Sequence, residues 1–406
     1  MDAAFFDDMV NFPTEGELCF VIHYGEVGLK GDNRAFFENQ LIQNIKKAVS
    51  DIQTQRVLRY HGRLILPIAD AQNISAIEER LKQVFGIVYF APAVLLPQDI
   101  EAIEAGAVYL MGNLIFESFA VKTRRAQKRF PLTSQEVNAR VGAAIQRNWG
   151  GEVNLDDPGV TCFIEIFDNR ALVYATKIPG IGGLPVGVSE RAISLLSAGI
   201  DSPVASYKMM KRGIKLSFVH FHSVPLTSSA SIENASRQVA FLTRFQSHSR
   251  LFLVPFLEVQ QQIMALAPKD YRVVLYRRFM LRLAERIAHR ERAKALITGE
   301  SIAQVASQTL SNMQVINQVA TLPVLRPLAG DDKSEIIQFA KTIGTYQVSV
   351  DPYEDCCSLF IPKHPVTHAK QAIVEEAESK LDIEGLIQDA LQRTEERRFH
   401  FPEKMV

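Results

Sequence analysis

The sequence predicts an α/β protein whose carboxy-terminal part folds as a doubly wound parallel sheet. From residue 191 onward, short apolar runs alternate with segments of helical spacing, and repeated βα units favour a parallel sheet. A loop of small residues, 197–203, follows the first apolar run and precedes a helical segment. Upstream of this region, strands and helices follow the order of smaller α+β units.

The amino-terminal half predicts two small α+β units followed by a linker. Residues 18–24 and 64–68 are short apolar runs typical of strands, and residues 33–49 have helical spacing. The second unit is predicted to contain helices over residues 75–85, 100–116 and 134–149, and strands over residues 88–94, 119–125, 161–167 and 171–176. Residues 177–187 are dense in glycine and proline, which predicts a domain linker. We therefore expect domains over residues 1–70, 71–177 and 178–406.

The carboxy-terminal domain contains the regular alternation. Its predicted strands cover residues 192–196, 215–221, 251–256, 295–298 and 324–328, and its predicted helices cover residues 231–245, 271–289, 302–312 and 333–343. The charged tail, residues 375–398, also predicts helix. Ligands of such sheets bind at the carboxyl ends of the strands, so the loops that follow these strands are expected to face one crevice.

The 197–203 loop has the composition of an anion site. Backbone N–H groups of a small-residue loop and of the helix that follows can point at one phosphate. Ser202 is predicted to be the N-cap and Pro203 to take the first helical position. The Asp201 carboxylate suits a magnesium-assisted role better than direct phosphate contact. An ordinary strand–turn–helix remains the alternative on this loop alone.

Two further segments are predicted at the same edge of the sheet. Residues 298–301 follow the fourth predicted strand, and Gln304, Ser307 and Gln308 are expected about one turn into the next helix. Lys333 lies in the first turn of its predicted helix, where a cation is unfavourable unless it faces a bound anion. A capped helix start and a surface lysine are the alternatives. Either Arg277 or Arg278, on the helix over residues 271–289, could also reach a phosphate.

The four cysteines are too few for a disulfide framework in a chain of 406 residues. Cys356 and Cys357 are adjacent in a loop-like segment, and two cysteines alone do not make a zinc site. A reactive thiol there would fit sulfur chemistry, whereas two buried small apolar side chains are the alternative. Cys19 and Cys162 lie in apolar strands and are expected in the core.

Overall charge gives no hint of a nucleic-acid partner, because 45 basic residues balance 45 acidic ones. One local group, the basic cluster, could bind phosphates, or could be a solvated surface segment: Lys122, Arg124, Arg125, Lys128 and Arg129. Arg140 follows it on a helical pattern. No apolar run is long enough to span a bilayer, and the acidic amino terminus is unlike a secretory signal, so we expect a cytoplasmic protein without a membrane partner.

Several ordered motifs together resemble the tRNA 4-thiouridine synthase (tRNA sulfurtransferase) family, in a short form without a carboxy-terminal rhodanese domain. They are residues 23–31, the 195–205 segment with the PP-loop of ATP pyrophosphatases, residues 299–301, 304–309 and 332–333, and residues 353–357. Ala198 departs from the PP-loop pattern, where a glycine is usual. If that position has a positive φ, the alanine would cost about 1 kcal/mol.

The resemblance implies a ferredoxin-like domain and a THUMP domain that bind tRNA, followed by a PP-loop domain. It also implies that ATP activates oxygen four of the uridine at position eight of tRNA, after which persulfide sulfur displaces AMP. The resemblance implies catalytic roles for Asp201, Lys333 and Cys356. ATP contacts are implied, or expected from the loop, for Leu195, Leu196, Ser197, Gly199, Ser202, His220, Phe221, Arg277, Gly299 and Gln308.

The resemblance further implies ATP with Mg²⁺, a cysteine desulfurase or another persulfide donor, a possible homodimer and a possible role in thiamine thiazole synthesis. No cysteine follows Cys357, so the persulfide route is expected to use Cys356, Cys357, a separate carrier or an iron–sulfur centre. Two other functions stay open: a different PP-loop enzyme that adenylates tRNA, and a non-catalytic tRNA-binding protein. Ala198 is the only support for the second.

Overall fold

The structure is a computed structural model that describes residues 16–60, 62–126, 129–350, 360 and 364–403. The chain divides into two compact units, Met1–Leu184 and Pro185–Val406. Within the described residues, no helix is both long and apolar enough to cross a membrane.

The first unit is built on one nine-stranded sheet. Its strands are β1 (Glu17–Tyr24), β2 (Leu58–Tyr60), β3 (Arg63–Pro67), β4 (Ile87–Pro97), β5 (Ser118–Arg125), β6 (Glu152–Val153), β7 (Val160–Phe167), β8 (Arg170–Tyr174) and β9 (Ile178–Pro179). Its α-helices are α1 (Arg34–Ala48), α2 (Ile74–Leu81), α3 (Ile100–Gly112) and α4 (Ser134–Trp149). The strand order is β2-β3-β1-β4-β8-β7-β5-β6, with β9 beside β4.

The long strand β4 joins the two predicted α+β units into this sheet. It pairs antiparallel with β1 along most of its length, and its end pairs with β8 from Val94↔Val173 to Pro97↔Arg170. The sequence predicted the two units but not their continuity, since strand pairing across 70 residues or more leaves no local pattern. Cys19 and Cys162 are fully buried, as expected for apolar strands.

The second unit contains a six-stranded sheet. Its strands are β10 (Arg191–Leu195), β11 (Lys215–His222), β12 (His248–Pro255), β13 (Ala295–Ile297), β14 (Val324–Leu325) and β15 (Glu395–His400). Its α-helices are α5 (Asp201–Met210), α6 (Ala230–Thr243), α7 (Leu257–Leu266), α8 (Arg272–Glu291), α9 (Leu310–Asn317), α10 (Lys333–Ile343), α11 (Gln371–Glu378) and α12 (Ile383–Gln392).

The order of this sheet, β14-β13-β10-β11-β12-β15, confirms the predicted doubly wound fold. Strands β10 to β14 pair parallel, and β15 pairs antiparallel with β12. The order reverses between β10 and β13, which are neighbours although they are far apart in the chain. The crevice outside the carboxyl ends of these two strands is therefore the expected ligand site.

Two elements of the second unit differ from prediction. The helix expected over residues 302–312 begins only at Leu310, because Ala303 has a φ of 63° and the Thr309 hydroxyl caps the later start by accepting the N–H of Asn312. The tail is not helical throughout: its last part is β15, an edge strand whose charged side chains suit a solvent-facing sheet edge. A run of charged residues is also typical of an exposed helix, which explains why the sequence predicted helix here.

Candidate active site

A cavity of about 980 Å³ opens at the carboxyl ends of β10 and β13. The sequence-predicted residues that line it are Leu195, Leu196, Ser197, Gly199, Asp201, Ser202, Phe221, Arg277, Gly299, Gln308 and Lys333. His220 is not among the lining residues. The topology thus brings together five segments of the second unit that are distant in sequence.

The 197–202 loop is held by its own side chains. The Ser197 N–H donates to the Ser202 hydroxyl oxygen at 3.0 Å. Helix α5 begins at Asp201, so the prediction that Ser202 is the N-cap is wrong; Ser202 and Pro203 lie inside the first turn. Proline is tolerated there because the first N–H groups of a helix have no partner within it.

Ala198 adopts the left-handed conformation, with a φ of 64°, and its side chain is fully buried. The glycine that usually occupies this position takes such a backbone at no steric cost, whereas alanine does so with strain. The loop therefore has a left-handed residue at this position although the residue is alanine.

Gln238 of α6 holds the 197–202 loop from its buried side, and the sequence did not predict this role. Its side-chain amide donates to the Ala198 carbonyl at 2.7 Å and the Gly199 carbonyl at 3.1 Å, and lies 3.0 Å from the Ser349 hydroxyl. The residue is fully buried. A glutamine in mid-helix carries no local signal, so only the fold could reveal this contact.

Gly299, after β13, packs directly on the loop. A Cβ placed at this position would lie 2.8 Å from both Cα and N of Ser202. Real Cβ atoms do not approach backbone so closely. The glycine therefore permits the close approach of two segments that line the cavity.

Asp201 is the junction of three segments. Lys333 Nζ lies 2.5 Å from Asp201 Oδ1, and the Gln304 side-chain amide donates to Oδ2 at 3.0 Å. Lys333 is the first residue of α10, which starts with the predicted capping box: Asp332 accepts the Glu335 N–H, and Glu335 accepts the Asp332 N–H. The capping box fixes the start of α10, and the Lys333 ammonium in the first turn lies at the cavity wall.

Glu300 binds two arginines with its buried carboxylate. Arg277 Nη1 lies 2.6 Å from Oε1, and Arg326 Nε lies 2.7 Å from Oε2. Burial alone would raise the pKa of Glu300, but the two guanidiniums and the Thr298 hydroxyl lower it below its usual value. Glu300 lay within a stretch that the sequence singled out, but its charge partners could not be predicted.

Arg278, the neighbour of Arg277 on α8, points to a different environment. It binds Glu378 of α11 through two contacts, at 2.8 and 2.7 Å, and both residues are buried. Successive residues of a helix face different directions, which separates the two arginines. Of the two candidates for a phosphate contact, only Arg277 lines the cavity.

His220 lies behind the cavity wall and is buried. Its Nδ1 is 2.8 Å from the Leu196 carbonyl, and because a carbonyl only accepts, Nδ1 carries the proton. Its Nε2 is 3.3 Å from the Ser231 hydroxyl, which then donates. Burial lowers the pKa of His220 to about 4. The neutral ring supports the strand end from which the loop departs.

The predicted sulfur-carrying residue, Cys356, lies outside the described residues, as does Cys357. No group of three or more His, Cys, Asp or Glu side chains that could hold a metal ion occurs in the described part of the chain. The cavity does offer the Asp201 carboxylate. One or two carboxylates together with substrate phosphates are the usual way in which proteins hold Mg²⁺, so the donor set fits that ion.

The basic cluster lies on and after β5 of the first unit. Lys122 and Arg124 are exposed and alternate on one face of the strand, and Arg129 is exposed in the following loop. Arg125 donates to the carbonyls of Phe130 and Leu132, at 3.3 and 2.6 Å, so it holds that loop. Lys128 lies outside the described residues.

Comparisons with known proteins agree with this architecture. A family model described as Thiamine biosynthesis protein (ThiI) matches residues 187–383, a ThiI ferredoxin-like domain matches residues 19–91, and a THUMP domain matches residues 97–176. A probable tRNA sulfurtransferase of Moorella thermoacetica is 44% identical over 376 residues, 92% of this chain and 96% of that protein. One of Brevibacillus brevis is 43% identical over 378 residues, 92% and 94% of the two chains.

A solved structure is also similar: a 4-thiouridine synthetase in complex with RNA and bound ATP. It matches with a TM-score of 0.88 and 35% identity, over 95% of this chain and all of that one. The carboxy-terminal domain with its switch-point loop is thus a PP-loop domain, as the sequence predicted, and it follows ferredoxin-like and THUMP domains. The chain belongs to the ThiI family of tRNA sulfurtransferases.

Proposed function

We propose that this protein is an ATP-dependent tRNA sulfurtransferase that converts the uridine at position eight of tRNA to 4-thiouridine. Two relatives are named probable tRNA sulfurtransferases, and the similar solved structure is a 4-thiouridine synthetase in complex with RNA and ATP. The observation that carries the proposal is the convergence of the 197–202 loop, Gly299, Arg277 and Lys333 on one cavity at the topological switch point.

ATP occupies this cavity in the proposal. Backbone N–H groups of the loop and the amino terminus of α5 bind phosphate, while Leu195, Leu196 and Phe221 supply apolar wall. Arg277, Gly299 and Gln308 complete the contacts. His220 acts through Leu196, since it does not line the cavity.

Asp201 and Lys333 support adenylation. Oxygen four of the uridine attacks the α-phosphorus of ATP, the bond to the β-phosphate oxygen breaks, and pyrophosphate leaves with the electron pair. Lys333 stabilises the negative charge that develops on pyrophosphate. Asp201 would hold Mg²⁺, and that ion would supply further neutralisation of phosphate charge.

Cys356 is the proposed thiol of the second step. Cys356 carries a terminal sulfur as a persulfide, loaded by a cysteine desulfurase or another persulfide donor; this sulfur forms a bond to C4 of the base, the C4–O bond breaks, and AMP leaves. An external thiol then attacks the Cys356 sulfur, the S–S bond breaks, the thiouridine sulfur keeps the electron pair, and the resulting disulfide is reduced by a second external thiol. Thiolate character decides whether such a sulfur attacks. Sulfur transfer for thiamine thiazole synthesis is a second use of the same chemistry. Cytoplasmic localisation and a homodimer stay predictions, as do the domain boundaries at residues 70 and 177.

The tRNA contacts are proposed for the basic cluster of the first unit. The exposed guanidinium and ammonium groups of Lys122, Arg124 and Arg129 suit phosphate oxygens. Arg125 contributes by holding the loop that follows β5, and Lys128 completes the cluster. Such contacts position an RNA without reading its bases.

The test combines purified protein, unmodified tRNA transcript, Mg-ATP, and a cysteine desulfurase with cysteine. The tRNA is digested and analysed for 4-thiouridine by mass spectrometry, with Cys356→Ala and Cys357→Ala proteins in parallel. Thiouridine at position eight that is lost only with Cys356→Ala supports both the reaction and the thiol.

The other outcomes separate the alternatives. If AMP and pyrophosphate form without thiouridine, the protein adenylates tRNA and the sulfur route is wrong. If tRNA binds but neither product forms, the non-catalytic tRNA-binding protein replaces the enzyme.

A further inference from the structure

Glu300 is a buried acid whose contacts all lead to the cavity wall. Only 4% of its surface is exposed. Its Oε1 binds Arg277 Nη1, and its Oε2 binds both Arg326 Nε and the Thr298 hydroxyl, which donates at 2.8 Å. A buried carboxylate with two guanidiniums leaves a net positive charge, which suits a polyphosphate ligand at the same wall.

Arg277 depends on this contact for its place. It is one of the residues that line the cavity, and its guanidinium has no other ion pair among the described residues. Its Nε is buried without a hydrogen-bond partner in the described part of the chain. Fixing a long arginine side chain costs rotamer entropy, and the contact with Glu300 orders the side chain before a ligand arrives.

Arg326 anchors the other side of Glu300. Its Nη2 donates to Asn317 Oδ1 at 2.7 Å, at the end of α9. Glu300 thereby connects α8, the loop after β13, and the segment after β14. A change at Glu300 would release Arg277 from a framework that three segments define.

We propose that Glu300 is the positioning residue for ATP binding, because it holds the Arg277 guanidinium at the cavity wall in advance of the nucleotide. This inference rests on the proposed function, in which Arg277 contacts ATP. Glu300 touches no phosphate itself, since both of its oxygens are occupied by donors.

The chain contains a matched control for this contact. Glu378 is also a buried carboxylate that binds two arginines of α8, Arg278 and Arg282. Neither the acid nor these arginines line the cavity. Glu378→Gln removes the same charge from another carboxylate that binds α8, so it reproduces any general loss of stability without touching the ATP site.

The experiment measures the Kd for ATP by calorimetry, and the KM for ATP and kcat from pyrophosphate release with tRNA, on the full chain. Glu300→Gln is expected to raise Kd and KM about 10-fold with kcat near wild type, because binding is weakened while the adenylation step is kept. Glu378→Gln is expected to leave Kd and KM unchanged. Arg277→Ala should raise Kd, and adding Glu300→Gln to it should have little further effect.

The remaining outcomes separate the positioning role of Glu300 from the contact of Arg277 with ATP. If Arg277→Ala weakens ATP binding and Glu300→Gln does not, or if their effects simply add, the positioning role is wrong and the ATP site stands. If Arg277→Ala leaves ATP binding intact, the assignment of Arg277 fails, and the inference fails with it. If Glu300→Gln does not fold, Glu300→Asp replaces it: the shorter acid keeps the charge, withdraws from Arg277, and should raise Kd likewise.

Discussion

Lys333 and Asp201, which are 132 residues apart in sequence, form an ion pair with Nζ and Oδ1 2.5 Å apart. The ammonium lies at the start of α10 and the carboxylate at the start of α5, and both line the cavity. Gln304 holds the second oxygen of Asp201. A cation and an anion are thus held together where ATP is proposed to bind, and each is available to the polyphosphate or its counterion.

Removal of either member is expected to abolish most adenylation. Asp201→Asn and Lys333→Met should each lower pyrophosphate release by about 100-fold or more, the size of effect seen when one group that stabilises a transition state is lost. Lys208→Met is the control, because Lys208 of α5 pairs with Asp331 but does not line the cavity. Wild-type rates for Lys333→Met would rule out its proposed role.

Ala303→Gly is expected to stabilise the protein, because Ala303 is exposed and has a φ of 63°. The left-handed backbone costs alanine about 1–2 kcal/mol, and the greater freedom of glycine in the unfolded chain returns about 0.4–1 kcal/mol of that. The free energy of unfolding in urea should therefore rise by about 0.5–1 kcal/mol. Ala198→Gly, at a φ of 64°, should gain less, because it also removes a fully buried methyl group worth about 0.8 kcal/mol. Ala205→Gly within α5 should destabilise. A loss of stability in Ala303→Gly would contradict the backbone strain.

Gly299→Ala is expected to weaken ATP binding. Its Cβ would meet the Ser202 backbone, which cannot move aside as a side chain can. Overpacking of about 1–3 kcal/mol corresponds to a Kd roughly 5- to 150-fold higher, measured by calorimetry. Gly330→Ala provides the control, since an added Cβ there meets nothing within 4 Å. Equal Kd values for the two variants would show that the close approach is dispensable.

Lys122→Ala and Arg124→Ala are expected to weaken tRNA binding and to lower its salt dependence. Each lost phosphate contact should reduce the slope of log K against log salt by about 0.7–0.9. Filter binding over a salt series measures that slope. Arg140→Ala is the comparison, because Arg140 already pairs with Glu101 and Glu104. An unchanged slope for Lys122→Ala would show that Lys122 on β5 does not contact an RNA phosphate.

The burial of His220 is expected to make the free energy of unfolding decrease in acid. Burial lowers its pKa from 6.5 to about 4, so between these pH values the unfolded chain binds more protons than the folded one. The stabilisation is full above pH 6.5 and falls as the pH decreases towards 4, by at most about 1.4 kcal/mol per pH unit. Urea unfolding at several pH values should show a smaller decline for His220→Gln than for His364→Gln, an exposed control. Identical declines would contradict the burial effect.

Local patterns were enough to predict much of the fold. The apolar runs and helical spacing of the second unit predicted its parallel sheet, and α10 was predicted with its bounds, because the capping box of Asp332 and Glu335 is a local signal. The helix expected from residue 302 was wrong because Ala303 takes a positive φ, which alanine rarely does and its sequence context does not reveal.

The sequence by itself determined the βα order, the small-residue loop and the motifs that indicate the family, since each depends on residues close together in the chain. Tertiary structure alone decided which charges meet. It paired Asp201 with Lys333, Arg277 with Glu300, and Arg278 with Glu378. It also packed Gln238 against the loop and joined two predicted units into one sheet through β4. The physical reason is that strand order and helix packing choose the partners of side chains, and those choices involve residues tens to more than a hundred positions apart.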